Sequence, residues 1–371
     1  MFPHHVPLRS LITLTLLLAF ALSPGIGFTS MEGKAAAASV NDDYPVPAEV
    51  TLCGERMPLE NRQVWERLDR EITIASWDRA QVFMWVKRTG RFFPYIERSL
   101  AEAGLPDDLK YLAVAESSLI TDISSNRSAL GLWQFMPGTA RQNGLKKNRN
   151  VDERLNFELS TKAALKYLKR LRSVFGSWTL ALAAYNCGEA RLKNEIKEQE
   201  VHDFYDLYLP NETERFIFRI AAIKIIMKNP ERYGFHLSPD RIYKPIQAEK
   251  MKVNLRSPLH LTKVAKALGT NYKVIKDLNP HILGRYLPVG KYEIWVPQGR
   301  SSKLAASLKK LSKVSPKSKR PRGGNRFYVV KRGDTLSGVS LKTGVSMAII
   351  RRLNRLEDTR IFVGQKLRLT P

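Results

Sequence analysis

Between Leu59 and Met227 the apolar residues recur every three or four positions, the spacing that gathers side chains on one face of a helix. Val64, Leu68, Ile72, Ile74 and Trp77 open the series. Val82, Trp85 and Val86 continue it, followed by Phe93, Tyr95, Ile96 and Leu100. These predict a helical lead-in over 54–104. Further helices are predicted from about Thr161 to Phe175, Trp178 to Tyr185 and Thr213 to Met227. An all-helical domain therefore extends to about 240, and the chain of 371 residues is long enough to bury one good core and still carry smaller modules.

One acid breaks the apolar face. Glu116 follows Leu109, Leu112 and Ala113 at intervals of seven, four and three, so its carboxylate shares their side of the helix. Gly104 closes the preceding segment, Pro106 suits a first helical position, and Asp107 and Asp108 sit near the positive end of the helix dipole. A carboxyl on the apolar side is poorly hydrated. Desolvation disfavours its charged form, and a carboxylic acid kept neutral near neutral pH can act as a general acid. A glutamate near a helix end also serves as a solvated or capping residue, so the pattern alone leaves both readings open.

The surrounding residues carry a resemblance. Glu116-Ser117 is followed by Gly131-Leu132-Trp133-Gln134-Phe135-Met136-Pro137 and then by Ala184-Tyr185-Asn186. The order and spacing of these three motifs resemble those of the goose-lysozyme-like lytic transglycosylases (SLT family 1), which cleave bacterial peptidoglycan. The resemblance implies a lysozyme-like all-helical catalytic domain over 105–240, with Glu116 as the sole acid/base. Ser117, Ser125, Gln134, Met136, Tyr185 and Asn186 would be substrate-binding. It further implies attack on the bond between N-acetylmuramic acid and N-acetylglucosamine, without metal or organic cofactor. Ordinary glycosidases set two carboxylates across the bond. Asp122 is the nearest second acid in the chain and has no such role in the family. Glu212, at a helix start, is a candidate secondary contributor; its alternative role is a cap or dipole partner. In the family the glutamic acid protonates the glycosidic oxygen, and the muramic C6 hydroxyl then attacks its own anomeric carbon to leave a 1,6-anhydro end.

Beyond Pro245 the pattern shortens into α+β modules. Residues 327–370, opening Tyr-Val-Val-Lys-Arg-Gly-Asp-Thr-Leu, resemble a LysM module of βααβ plan. Helices are predicted over Leu336 to Gly344 and Ser346 to Leu353. The resemblance implies a shallow sugar groove with Gly333, Asp334, Thr335 and Leu336 on one side and Asn354, Ile361 and Phe362 on the other. Gly333-Asp334-Thr335 also reads as a turn with a helix cap. Residues 253–297 repeat the plan without the Gly-Asp-Thr turn and are expected to be a degenerate LysM-like module, a spacer or docking surface as much as a sugar binder. The fold class expected is thus mainly α, with small α+β modules following the catalytic domain.

Arg9, the uncharged run Leu11 to Leu22 and Ser23-Pro24-Gly25 read as a secretory signal peptide within 1–39. No cysteine stands directly behind that run, so export to the periplasm or envelope without a lipid anchor is expected. The two cysteines, Cys53 and Cys187, leave a disulfide open. Residues 300–325 are rich in Lys, Arg, Ser and Pro and form a basic linker, and the whole chain carries a formal charge of +26. Export separates that charge from nucleic acid. The expected partners are the glycan strands of peptidoglycan and an anionic envelope surface, met by a monomer. Two alternatives use the same residues: a muramidase that hydrolyses the bond with water, and a wall-binding protein without activity.

Overall fold

A computed structural model describes residues 44–306 and 327–369. The expected leader, 1–39, and most of the expected basic linker lie outside the described residues. At 51–56 the chain makes a hairpin that the apolar spacing does not announce. β1 (Thr51–Leu52) and β2 (Glu55–Arg56) pair antiparallel through Cys53 and Gly54, whose φ of 54° and 83° fit a primed two-residue turn. The lead-in is therefore not helical from its start. Two long helices follow, α1 (Arg62–Trp77) and α2 (Arg79–Ala103), with Asn61 and Asp78 as side-chain N-caps and Gly104 in the left-handed region as the stop.

Next come α3 (Lys110–Ser117), α4 (Pro137–Gln142), α5 (Phe157–Phe175), α6 (Trp178–Cys187), α7 (Glu189–Gln199) and α8 (Asn211–Lys228). The core sits around α8. Its Phe216, Ile217, Phe218, Ile220, Ala221, Ala222, Ile223, Ile225 and Ile226 are all buried, and α1, α3 and α6 pack against it. Ala181, Ala183 and Ala184 of α6 have no exposed surface, and such small side chains let helices approach closely. The hairpin helps to fix α6: the Glu55 carboxylate accepts from the amides of Trp178 at 2.6 Å and Thr179 at 3.1 Å, an acid set at a helix N-terminus. Both cysteines are free thiols, and burial pushes that of Cys53 far above its usual value.

Residues 248–297 build a second core. β3 (Ala248–Leu255) pairs antiparallel along its whole length with β6 (Gly290–Pro297), and β4 (Leu259–His260) pairs with β5 (Tyr286–Leu287). Between them lie α9 (Leu261–Ala267) and α10 (Tyr272–Leu278). Asn279 is fully buried and binds strand to helix: its amide donates to Ile275 O and Trp295 O, and its carbonyl accepts from Trp295 N at 2.8 Å. The expected linker starts later than Arg300. Residues 301–306 are helical, Leu304 joins this second core, and Arg300 donates to the carbonyls of Leu268 and Gly269.

The module is seated on the helical domain by backbone contacts. Val151 bridges Ile282, Asp152 N donates to His281 O at 2.9 Å, and Leu283 N donates to Asn150 O at 2.8 Å. Residues 327–369 form a third core around Val330, Leu336, Val339, Ile350 and Leu367, with β7 (Phe327–Val329), α11 (Leu336–Thr343), α12 (Met347–Asn354) and β8 (Lys366–Arg368) in βααβ order. β7 and β8 pair antiparallel.

Candidate active site

Helix α3 brings Glu116 to its end with Leu109, Leu112 and Ala113 sealed on the same side. Ser118 and Leu119 then adopt φ of 54° and 60°, turning the chain sharply out of the helix. Two side chains of α2 hold that turn: Arg88 donates to Ser118 O at 2.9 Å and Gln81 to Ser118 Oγ at 2.9 Å. Glu116 is only half-buried as a residue, yet its carboxyl group lies deep enough that desolvation governs it. Burial pushes it from 4.5 up to about 8; the nearby Glu212 carboxylate adds to the rise, and the Arg219 guanidinium opposes it. At neutral pH this is a carboxylic acid with a proton to give.

Opposite it, residues 123–136 fold into a loop stitched by bridges between Ser124 and Leu130 and between Leu130 and Phe135. Gly131 has a φ of 82°, and a Cβ there would lie 2.2 Å from Arg154 O, so only glycine fits. Gln134 is held at φ 45°, its amide donating to Gly131 O at 2.7 Å and Ile123 O at 3.2 Å. A non-glycine residue in that region is strained and persists because its surroundings fix it. Beneath the loop, Arg154 donates to Phe135 O at 2.9 Å and Ser128 O at 2.8 Å, and forks onto Asp152 at 2.9 and 2.7 Å. Both side chains of that pair are 4% exposed. Trp133 is fully buried with its indole N–H on Thr161 Oγ1, whereas Met136 is 44% exposed.

Tyr185 ties α6 to this loop by donating to Trp133 O at 2.7 Å. Burial first, and then the neighbouring Glu116 carboxylate, push its phenol well above 10, so it stays a donor. Tyr167 and Phe135 stack around it with ring centres 5.4 and 6.3 Å away. Asn186 accepts from Thr213 Oγ1 at 2.9 Å and so joins α6 to α8. Across the mouth, exposed Arg127 approaches exposed Glu212 at 4.0 Å.

Glu116 therefore stands close enough to Glu212 on one side and Tyr185 on the other to couple with each, and the Gln134 backbone follows directly on the Trp133 carbonyl that Tyr185 binds. Ser117 turns inward instead: it is 3% exposed and its hydroxyl donates to Ala113 O at 3.0 Å. Ser125 is exposed, with its hydroxyl accepting from Ala129 N at 3.0 Å and closing its own turn. Asp122 is exposed on the same loop. Sequence reasoning did not see Arg127 or Arg219. No local pattern marks these two, because Glu212 lies 85 positions after Arg127 and Glu116 lies 103 positions before Arg219.

In the third core, Gly333 has φ 83° at the turn, and Asp334 accepts from Tyr328 Oη at 2.7 Å, Lys331 N at 2.9 Å and Lys342 Nζ at 2.6 Å. Those donors, the Lys342 ammonium first, hold its carboxyl down at about 2. Thr335 Oγ1 caps α11 by accepting from Gly338 N, and Leu336 is buried at 1%. Asn354 donates to Ile350 O and Arg368 O and accepts from Arg368 N at 2.7 Å. These side chains brace the turn and the strand; the backbone of Gly333 and the exposed Phe362 and Val363 face solvent.

Compared with known families, residues 94–207 match the Transglycosylase SLT domain, residues 328–370 the LysM domain, and residues 250–313 the LysM-like domain of lytic transglycosylase MltD. The chain carries an SLT domain followed by LysM domains. Over 290 residues it is 32% identical to membrane-bound lytic murein transglycosylase D of Escherichia coli K12, a match covering 76% of this chain and 63% of that protein. It is 31% identical over 113 residues to N-acetylmuramoyl-L-alanine amidase sle1 of Staphylococcus aureus USA300, covering 30% of each chain. The solved structure of an inactive mutant of lytic transglycosylase Slt from Pseudomonas aeruginosa aligns with 38% of this chain and 24% of that one, at 21% identity and a TM-score of 0.30. In this SLT domain the acid-bearing helix end, the strained Gln134 loop and Tyr185 all fall within the matched span. Among the described residues no helix is long and apolar enough to cross a membrane.

Proposed function

We propose that this protein is a peptidoglycan lytic transglycosylase of the cell envelope, with Glu116 as its single acid/base. The observation that carries the reading is the Glu116 carboxyl, held neutral at pH 7 by burial at the end of α3. The proposed cycle has two proton transfers. Glu116 donates its proton to the oxygen linking N-acetylmuramic acid to N-acetylglucosamine as the C1–O4 bond breaks, and the departing sugar keeps that proton on its 4-hydroxyl. The muramic C6 oxygen then bonds to C1, and its proton passes to the Glu116 carboxylate, which restores the acid. No water enters, and the new end is a 1,6-anhydromuramic residue.

The other groups take supporting roles in this reading. Gln134, Met136 and Tyr185 border the scissile bond, with Tyr185 a permanent donor beside Glu116. Glu212 is exposed at the mouth and faces Arg127, which supports a charge-tuning role rather than that of a second catalytic carboxylate. Ser117 and Asn186 support the site from within the fold. The domain division proposed is 54–104, 105–240, 253–297 and 327–370, with the last module holding N-acetylglucosamine against the Gly333 turn.

The test is mass spectrometry of soluble fragments after purified sacculi meet the protein or Glu116→Gln. Fragments ending in 1,6-anhydromuramic acid, missing with the mutant, are expected. Reducing ends one water heavier would replace the reading with a hydrolytic muramidase, and no fragments from either protein would leave a wall-binding protein.

A further inference from the structure

Where the 248–297 module meets the helical domain lies a cavity of about 480 Å³, and none of the residues assigned above to cleavage lines it. Several polar side chains of its wall have no partner among the described residues. Asn156 is 8% exposed; its carbonyl caps α5 by accepting from Leu159 N at 3.0 Å, and its amide NH2 meets no acceptor among the described residues. His281, on the module side, is 7% exposed, and neither ring nitrogen has a partner among the described residues. The Nε of Arg91 is buried and unbonded. Of these, the Asn156 amide and the His281 ring line the cavity and are open to a ligand or an ordered water there.

The charge of the wall is equally uneven. The acids at its rim, Glu158 and Asp277, are each paired with a lysine, Lys250 and Lys273. Arg91 and Arg98 reach no carboxylate among the described residues. The 19-residue helix α5 points its N-terminus at the same space through Phe157 and Glu158, which adds positive potential. Tyr95 and Trp295 supply flat apolar walls from the two sides of the junction.

We propose that this cavity binds a carboxylate-bearing amino sugar, an N-acetylmuramyl unit with its acid group toward Arg91 and Asn156 and its ring against the aromatic wall. The carboxylate belongs either to the lactyl group of a peptide-free sugar or to a stem peptide. The identity of the sugar rests on the peptidoglycan reading above; the preference for an anion does not.

The experiment uses the full chain carrying Glu116→Gln, which holds glycan without turnover. N-acetylmuramic acid, N-acetylmuramyl-L-alanyl-D-isoglutamine and N-acetylglucosamine are titrated in turn, each with and without Arg91→Gln. At least one muramyl ligand is expected to lose about tenfold in affinity on Arg91→Gln, the worth of one charge-assisted hydrogen bond, while N-acetylglucosamine binding stays unchanged. Loss for N-acetylmuramic acid identifies the lactyl carboxylate; loss for the dipeptide alone identifies the stem. If Arg91→Gln lowers the melting temperature, Arg98→Gln on the exposed rim must give the same selective loss. Equal affinities for muramyl and glucosamine ligands, or muramyl binding indifferent to these arginines, overturns the proposal. Selective binding in a protein whose parent cuts no sacculi would refute the catalytic reading alone.

Discussion

Replacing Glu116 by glutamine should make the helical domain more stable, by an amount that grows with pH. An unfolded carboxyl releases its proton near 4.5, whereas burial holds the folded one to about 8. Between those values the unfolded state binds fewer protons than the folded state, so stability falls as pH rises, by about 1.4 kcal/mol per pH unit. The accumulated cost is about 3 kcal/mol at pH 7 and about 5 kcal/mol from pH 8 upward, and it vanishes below the unfolded value. Glutamine fills the same space without a charge to desolvate and should recover most of it. Five of the six tryptophans, Trp65, Trp77, Trp85, Trp133 and Trp178, lie in the helical domain, so urea unfolding followed by tryptophan fluorescence reports on it. Parent and mutant should unfold together at pH 4 and separate progressively to pH 8. A difference independent of pH would show that the carboxyl is ionised in the folded protein, and the general-acid argument would fail with it.

The same titration bears on turnover. Sacculus cleavage should fall as pH rises through about 8, where Glu116 loses its proton. Glu212→Gln, which removes the neighbouring negative charge, should move that limb to lower pH, and an unmoved limb would put Glu212 out of reach of the site. Gly131→Ala sets a methyl 2.2 Å from Arg154 O at a φ of 82°. It should cost about 3 kcal/mol by urea unfolding and most of the activity, whereas a neutral effect would mean that the loop is loose. Asn279→Ala leaves the Trp295 N–H and C=O of a buried clamp unpaired and should destabilise the 248–297 module by about 2–4 kcal/mol, read as faster amide exchange along β3 and β6.

Much of the helical domain could be read from spacing, since Val64, Leu68 and Ile72 on α1 or the apolar residues of α8 bury the face that their intervals name. The position of Glu116 on an apolar face was legible for the same reason. What escaped was held by distant partners. The β1–β2 hairpin has only two residues per strand, too few to show an alternation, and its purpose depends on Glu55 reaching Trp178. Helix α7 buries only Leu192, so its apolar signal is faint. The tie from Arg154 to the Gln134 loop exists only once folding places Phe135 O over the guanidinium. Ser117 and Ser125 carry hydroxyls at suggestive positions, yet local backbone groups claim both.

The two asparagine clamps show how a small βααβ module holds its shape from a single side chain. Asn279 and Asn354 each tie the end of the second helix to the closing strand with the same three bonds. In the 327–369 module that fastening lies apart from the Gly333-Asp334-Thr335 turn, so helix end and strand stay tied without it. The 248–297 module keeps the same fastening without that turn, and its shape is free to serve as a cornerstone between neighbouring parts of the chain. The Val151–Ile282 seam is where the 248–297 module bears on its neighbour.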